Sequence, residues 1–132
     1  MIRLNNVSVR RGATEVLRGL STEIPAATVT AVVGRSGVGK TTLLGALNGL
    51  LRPSAGRISV TGVGLLDDSA LYAHRRNTAT VFQHHALIDR LNALDNVLLG
   101  MADTRHPLSL LPWSRTQQHR AAGALDDVGL LH

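Results

Sequence analysis

The stretch Gly34-Arg35-Ser36-Gly37-Val38-Gly39-Lys40-Thr41-Thr42 decides the fold of this chain of 132 residues. It matches the phosphate-binding loop pattern G-x-x-x-x-G-K-[ST] at every fixed position. Glycines allow the backbone to curl so tightly that successive N–H groups point inward, toward phosphate oxygens. The ammonium of Lys40 brings a point charge to the terminal phosphates, and the hydroxyl of Thr41 can ligate Mg²⁺. The stretch therefore predicts a site for a nucleotide polyphosphate and its metal ion.

The residues on either side of the loop fit the same prediction. Val29-Thr30-Ala31-Val32-Val33 is a short β-branched apolar run, which is typical of a buried strand. Leucines at helical spacing follow the loop, from Leu43 to Leu51, and Pro53 ends the pattern. A strand, a glycine loop and a helix in this order form the setting in which the motif binds phosphate. The alternative, a glycine-rich turn that binds no nucleotide, requires neither neighbour.

Composition limits the class of protein. The chain has no cysteine, so it forms neither disulfides nor thiolate metal sites, which fits a reducing compartment. No run approaches the ~20 apolar residues of a membrane span, and the N-terminus lacks the apolar region of a secretory signal. The net charge is +5, but the arginines are scattered and no nucleic-acid motif accompanies them. These features predict a cytosolic protein, or one bound to a membrane through a partner, that does not bind nucleic acid.

Hydrophobic patterns outline the other elements. Residues 2–9 and 16–24 read as two strands joined by a turn, which predicts an antiparallel ribbon ahead of the loop. A third strand is predicted over 57–61. Another is predicted over 78–83, with the polar Gln83 at the ligand-facing edge of a parallel sheet. Helices are predicted for a short segment after Asp67, for a capped segment from Asn92, and for residues 115–131.

Several stretches besides the loop occur in an order typical of one protein family. They are Leu4-Asn5-Asn6-Val7-Ser8, Leu47-Asn48-Gly49-Leu50-Leu51-Arg52-Pro53, Gly56-Arg57-Ile58, Val81-Phe82-Gln83 and Leu94-Asp95-Asn96-Val97-Leu98-Leu99-Gly100. With the loop, they resemble the N-terminal half of an ATP-binding cassette (ABC) transporter ATPase. Among such ATPases the chain looks most like the phosphonate and phosphate importer type, on two features: Leu87-Ile88-Asp89-Arg90-Leu91 before Asn96-Val97-Leu98, and the insert from Leu108 to Trp113 before Val128-Gly129-Leu130. Amino-acid and metal importers share most of these features. The resemblance implies an α/β P-loop NTPase fold with an N-terminal antiparallel β subdomain, an incomplete RecA-like core and the start of a helical subdomain.

The resemblance implies a role for each matching residue. The triphosphate of ATP would be wrapped by Gly34, Arg35, Ser36, Gly37, Val38, Gly39, Lys40, Thr41 and Thr42, and Thr41 would also hold Mg²⁺. Gln83 would lie at the Q-loop, where it would touch the metal ion or the attacking water and sense the membrane partner. Residues 84–92 would face a transmembrane permease subunit. Two cassettes sandwich ATP in this family, on the cytoplasmic face of the inner membrane. A second ATP-binding cassette is therefore the other expected partner, and the protein is expected to be peripheral to the membrane.

The resemblance also implies domain limits and some departures. Residues 1–132 would be part of one nucleotide-binding domain, with 1–83 as β subdomain and P-loop core and 84–132 as Q-loop and start of the helical subdomain. Ala27 stands where the family has a glycine before the loop strand. The family signature Leu-Ser-Gly-Gly-Gln does not occur in the 132 residues, and its Asp-Glu strand and switch histidine have no counterpart. We therefore assign no catalytic residue and expect a truncated cassette that binds ATP and Mg²⁺ without hydrolysing ATP efficiently alone.

Two other functions stay open at this point. One is a non-catalytic nucleotide-binding or assembly module that docks on a transmembrane subunit. The other is a small P-loop kinase, for which Arg115 and Arg120 would serve as lid arginines. A kinase would also need a site for a phosphate acceptor. Two measurements separate these functions, titration with ATP with and without Mg²⁺ and ATP turnover by the purified chain.

Overall fold

The computed structural model of the chain describes residues 1–82, 87–102 and 112–130. The described elements fall into two compact units, Met1–Thr80 and Val81–His132. The first unit contains β1 (Ile2–Arg11), β2 (Thr14–Ile24), α1 (Lys40–Leu47), β3 (Ala55–Val60), β4 (Gly64–Leu65) and α2 (Asp68–Arg76). The second unit contains α3 (Ala93–Leu99) and α4 (Arg115–Asp127).

The four strands form one antiparallel sheet in the order β2-β1-β3-β4. β1 is paired along both edges, because Ile2 lies opposite Ile24 of β2 and also opposite Val60 of β3. The antiparallel ribbon predicted ahead of the loop is thereby confirmed, and the strand predicted over 57–61 corresponds to β3. One face of the sheet packs on α1. The buried core of this unit consists of Leu4, Val7, Val9, Ala46 and Ile58.

The helix after the glycine loop, α1, ends sooner than the leucine spacing predicted. Its last residue is Leu47, and Asn48 is its C-cap. Gly49 follows at φ 74°, in the left-handed region that glycine adopts without steric cost. The chain therefore leaves the helical path four residues before Pro53, and the last two leucines of the pattern lie outside the helix.

The helix α2 begins at an aspartate cap, as the sequence predicted. The Asp67 carboxylate accepts hydrogen bonds from the hydroxyl and the N–H of Ser69 and from the N–H of Ala70. These bonds, the one from the Ser69 hydroxyl above all, lower the pKa of Asp67 below its ordinary value. The cap is therefore a carboxylate anion at the positive end of α2.

A bulge in β1 brings the backbone of β3 unusually close. The pairing of β1 with β3 shifts register between Asn5 and Ser8, and Asn6 within the bulge has φ 50°. Gly56 of β3 lies against this point at φ 81°. A Cβ added to Gly56 would lie 2.2 Å from the carbonyl oxygen of Asn6. Only glycine fits here without moving one of the two strands.

The prediction of strands before the loop and near Gln83 is wrong, because the described residues of both segments form no hydrogen-bonded strand. Residues 29–33, which precede the loop, form no strand, and Val29 and Val33 are 102% and 86% exposed. Residues 78–82 also form no strand, and Val81 is 97% exposed. A strand exists only when a neighbour accepts and donates its hydrogen bonds, and within the described ranges neither segment has such a neighbour. Gln83, the end of the second predicted strand, lies outside the described residues.

The turn between β2 and the loop contains an alanine in a conformation suited to glycine. Ala27 has φ 56°, one of two positive φ values among the described non-glycine residues. Its Cβ crowds the backbone in this region, which costs about 1–2 kcal/mol. The hydroxyl of Thr28 donates to the carbonyl of Pro25 at 3.2 Å and closes the turn. The glycine that the family resemblance placed at this position would relieve the strain.

The second unit is a pair of capped helices. Asn92 caps α3, as predicted, and Ser114 caps α4 through a reciprocal capping box with Gln117. α4 ends at Asp127, not at residue 131, because Gly129 at φ 70° forms a Schellman turn at its end. The buried apolar residues of the two helices are Leu98, Ala121 and Leu125. No helix in the described ranges is long and apolar enough to cross a bilayer.

Gly56→Ala should destabilise the first unit far more than Gly62→Ala does. Both glycines have positive φ, at 81° and 85°, but the Cβ position of Gly62 has nothing within 4 Å. We expect a loss of about 1–2 kcal/mol for Gly62→Ala from backbone strain alone. We expect about 2–5 kcal/mol for Gly56→Ala because overpacking adds to that strain. Urea unfolding followed by circular dichroism measures both losses, and equal losses would contradict the close approach to Asn6.

Ala27→Gly should stabilise the chain. The substitution removes the left-handed strain of about 1–2 kcal/mol and adds unfolded-state entropy worth about 0.4–1 kcal/mol. The net gain expected is about 0.5–1 kcal/mol. The neighbouring Ala26→Gly is the matched control, because Ala26 has no positive φ, and it should lose stability. The same unfolding experiment decides the sign, and a loss at Ala27 would show that the turn does not need glycine.

Candidate functional site at the start of α1

The predicted loop has the glycine geometry that its sequence pattern requires. Gly37 and Gly39 have φ values of 79° and 106°, both in the region that favours glycine. A Cβ on Gly39 would lie 3.0 Å from Cγ1 of Val16 and 3.1 Å from Cδ2 of Leu17. Strand β2 therefore packs directly behind the end of the loop. The Cβ position of Gly37 has nothing within 4 Å, so this side of the loop is open.

The first turn of α1 is free to bind an anion. Gly39 is its N-cap, no side chain among the described residues caps it, and no acidic residue lies in the first turn. The early N–H groups of a helix lack partners within the helix and carry the positive end of its dipole. A phosphate group is the ligand that such an end binds best.

The ammonium of Lys40 bridges the two sides of the loop. Its Nζ donates to the carbonyl of Gly34 at 2.8 Å and to the carbonyl of Arg35 at 2.7 Å. These two bonds hold the loop closed on itself and fix the charge beside it. An ammonium has three donors, so a third N–H is left for a phosphate oxygen. The side chain is only half-buried, which leaves it within reach of a ligand.

The structure brings together the predicted loop residues and leaves one predicted residue unplaced. Arg35, Ser36 and Val38 are exposed along the loop, and Thr41 is exposed at the start of α1. Thr42, the next residue, is buried, at 4% exposure. The binding of a triphosphate by this set, with Thr41 as a Mg²⁺ ligand, stays a prediction. Gln83, the other predicted metal ligand, lies outside the described residues.

Sequence reasoning missed the contacts that hold the far end of α1. His74 and Arg75 of α2 bond to backbone carbonyls at that end, at 2.7 and 2.6 Å. They lie 27 and 26 positions from their partners in the sequence. Their only sequence signal was a cluster of basic residues in the last turn of α2, which is also what an ordinary helix end carries.

Known proteins with similar sequences belong to the family that the motifs resemble. The sequence model of the ABC transporter family matches residues 17–132. The phosphonates import ATP-binding protein PhnC 2 of Rhodopseudomonas palustris is 60% identical over 132 residues, which cover 99% of this chain and 46% of that protein. The phosphite import ATP-binding protein PxtA of Stutzerimonas stutzeri is 41% identical over 98% of this chain and 48% of its own length.

A solved structure shares the fold. The ATP-binding cassette MJ0796, determined as a dimer in a post-hydrolysis state with ADP and phosphate, has a TM-score of 0.75 and 28% identity. The alignment covers 96% of this chain and 56% of that one. The chain spans about half the length of the curated relatives that it matches. Because the family description covers most of the chain and the loop has the geometry that the motif requires, the chain belongs to the ABC transporter family.

Proposed function

We propose that the chain is the nucleotide-binding part of an ATP-binding subunit of an ABC importer, of the type that takes up phosphonate or a related phosphorus oxyanion. The observation that carries the proposal is the ammonium of Lys40, fixed by two carbonyls beside the open first turn of α1. The relatives named above are import ATP-binding proteins, which supports the transport role. The substrate class rests on those relatives alone.

The loop residues would bind the triphosphate from three directions. The backbone N–H groups of the loop and of the first turn of α1 would donate to the phosphate oxygens. The third N–H of Lys40 would neutralise charge at the terminal phosphates. Thr41 and Gln83 would hold Mg²⁺, which would neutralise phosphate charge when bound. Each of these contacts positions the phosphates without reacting with them.

The proposed partners follow from the same family membership. A transmembrane permease subunit would contact the segment after Gln83, which spans residues 84–92. A second ATP-binding cassette would pair with this one, as the dimeric form of the MJ0796 cassette suggests. We place the subunit on the cytoplasmic face of the inner membrane. The proposed domain limits are those of the sequence prediction, 1–83 and 84–132.

Lys40→Ala should weaken ATP–Mg²⁺ binding by about 10- to 100-fold, because it removes charge-assisted hydrogen bonds to the phosphates and the bridge across the loop. Titration with a fluorescent ATP analogue measures the affinity. Arg57→Ala is the matched control, since it removes one positive charge from an exposed position on β3, and it should change the affinity less than two-fold. An unchanged affinity for Lys40→Ala would remove the basis of the proposed function.

Chemical labelling offers a test that needs no variant. Lys40 is the only lysine in the chain, so an amine-reactive reagent reports on this site, apart from the N-terminus. We expect ATP and Mg²⁺ to slow the labelling of Lys40 while the α-amino group of Met1 reacts at an unchanged rate. Peptide mass spectrometry separates the two products. Equal labelling of Lys40 with and without ATP would contradict binding at the loop.

Turnover tests the expectation that the chain alone binds ATP without hydrolysing it efficiently. Phosphoryl transfer needs a residue that orients the attacking water, and none of the loop residues has that role. We expect phosphate release by the purified chain to be equal for the wild type and for Lys40→Ala. Appreciable release that depends on Lys40 would contradict the expectation without affecting the binding proposal.

A further inference from the structure

The carbonyl end of α1 is held by side chains from a different helix. The last carbonyls of a helix have no partner within it. Here Nε2 of His74 donates to the carbonyl of Leu47 at 2.7 Å, and Nη2 of Arg75 donates to the carbonyl of Gly49 at 2.6 Å. Both donors lie in the last turn of α2. We call His74 and Arg75 the brace.

The brace is tightly built. His74 is only 4% exposed, and its backbone carbonyl accepts a bond from the hydroxyl of Thr78 at 2.9 Å. A Cβ on Gly49 would lie 2.8 Å from Cδ2 of Leu71 and 3.7 Å from Nε of Arg75, so a glycine at this point lets α2 approach. A third link joins Nδ2 of Asn48 to the hydroxyl of Thr80 at 3.1 Å. The end of α1 is therefore held both by close packing against α2 and by hydrogen bonds to its carbonyls.

The two ends of α1 carry different backbone groups. Its first turn carries the N–H groups that face the loop, and its last turn carries the carbonyls that the brace binds. The helix has 8 residues, about 12 Å at 1.5 Å per residue, and a helix this short moves as one body. The guanidinium of Arg75 lies at the negative end of the dipole whose positive end faces the loop. Any shift of the last turn would therefore re-aim the first-turn N–H groups.

We propose that Arg75 and His74 are positioning residues for the nucleotide, which hold α1 from its far end so that its first turn fits the phosphates. The proposal rests on the proposed function, because it requires nucleotide at the loop. Arg75 contributes charge and a hydrogen bond, whereas His74 contributes a buried hydrogen bond. Coupling between two sites is reciprocal, so nucleotide at the loop should also strengthen the brace.

The experiment compares three variants by ATP affinity and by thermal midpoint without nucleotide. Arg75→Gln removes the charge, and we expect it to weaken ATP–Mg²⁺ by about two- to five-fold. It should weaken inorganic tripolyphosphate by the same factor, because the brace acts through the phosphate-facing N–H groups. Arg75→Lys keeps a cation and should stay within about two-fold of the wild type. Arg76→Gln is the control, since Arg76 packs over Tyr72 with its guanidinium carbon 5.8 Å from the ring centre, and its ATP affinity should not change.

A purely structural role gives a different pattern. In that case Arg75→Gln would lower the thermal midpoint but leave the ATP affinity of the folded protein unchanged, and the proposal would be overturned. A loss with ATP but not with tripolyphosphate would also overturn it, since the effect would then not pass through the phosphates.

Hydrogen exchange in the wild-type chain keeps the test independent of variants that fail to fold. ATP should slow exchange of the amides over residues 71–76 of α2, and Lys40→Ala should abolish that protection. If ATP protects the loop amides and leaves those of α2 unchanged, the brace is not coupled to the nucleotide. A wild-type chain that binds no ATP would instead refute the proposed function itself, so the two failures are distinguishable.

Discussion

The ammonium of Lys40 lies between the carbonyls of Gly34 and Arg35 and so closes the glycine loop without any ligand. The N–H groups that converge in an anion-binding loop all carry the same partial positive charge, so an anion is needed to offset their repulsion. The two carbonyl bonds hold the ammonium of Lys40 beside the loop, where its charge adds to the attraction for that anion. The glycine conformations at positions 37 and 39 follow from the same requirement. The sheet and α2 of the first unit hold the helix that follows this loop.

The support comes from three sides of α1. The sheet packs against α1 through Ala46 near its end and through Leu43, and β2 lies behind Gly39 at its start. The brace from α2 holds the carbonyls at its end. A short helix has little stability of its own, so its position is set by these neighbours and not by its sequence. The proposed binding at the loop would therefore depend on packing throughout the first unit.

Local patterns predicted the parts of the fold that local chemistry determines. The phosphate-loop motif encodes its own backbone shape, strand alternation predicted the antiparallel ribbon, and short polar residues predicted the caps at Asp67 and Asn92. Prediction was wrong where structure depends on a distant partner. Residues 29–33 have the composition of a strand, but a strand is a property of a pair. The brace joins residues 26 and 27 positions apart through single hydrogen bonds, and such bonds leave no period in the sequence.

The central place of β1 has a consequence for how the site comes into existence. β1 and β2 are adjacent in the chain and joined by a tight turn, so they form a hairpin of low contact order that assembles quickly. β3 must return across the whole segment that contains the loop and α1 before it can dock on the other edge of β1, and that closure carries a larger entropic cost. The loop lies inside the ring that this docking closes. We therefore expect the proposed anion site to form late in folding, after Ile2 has come opposite Val60.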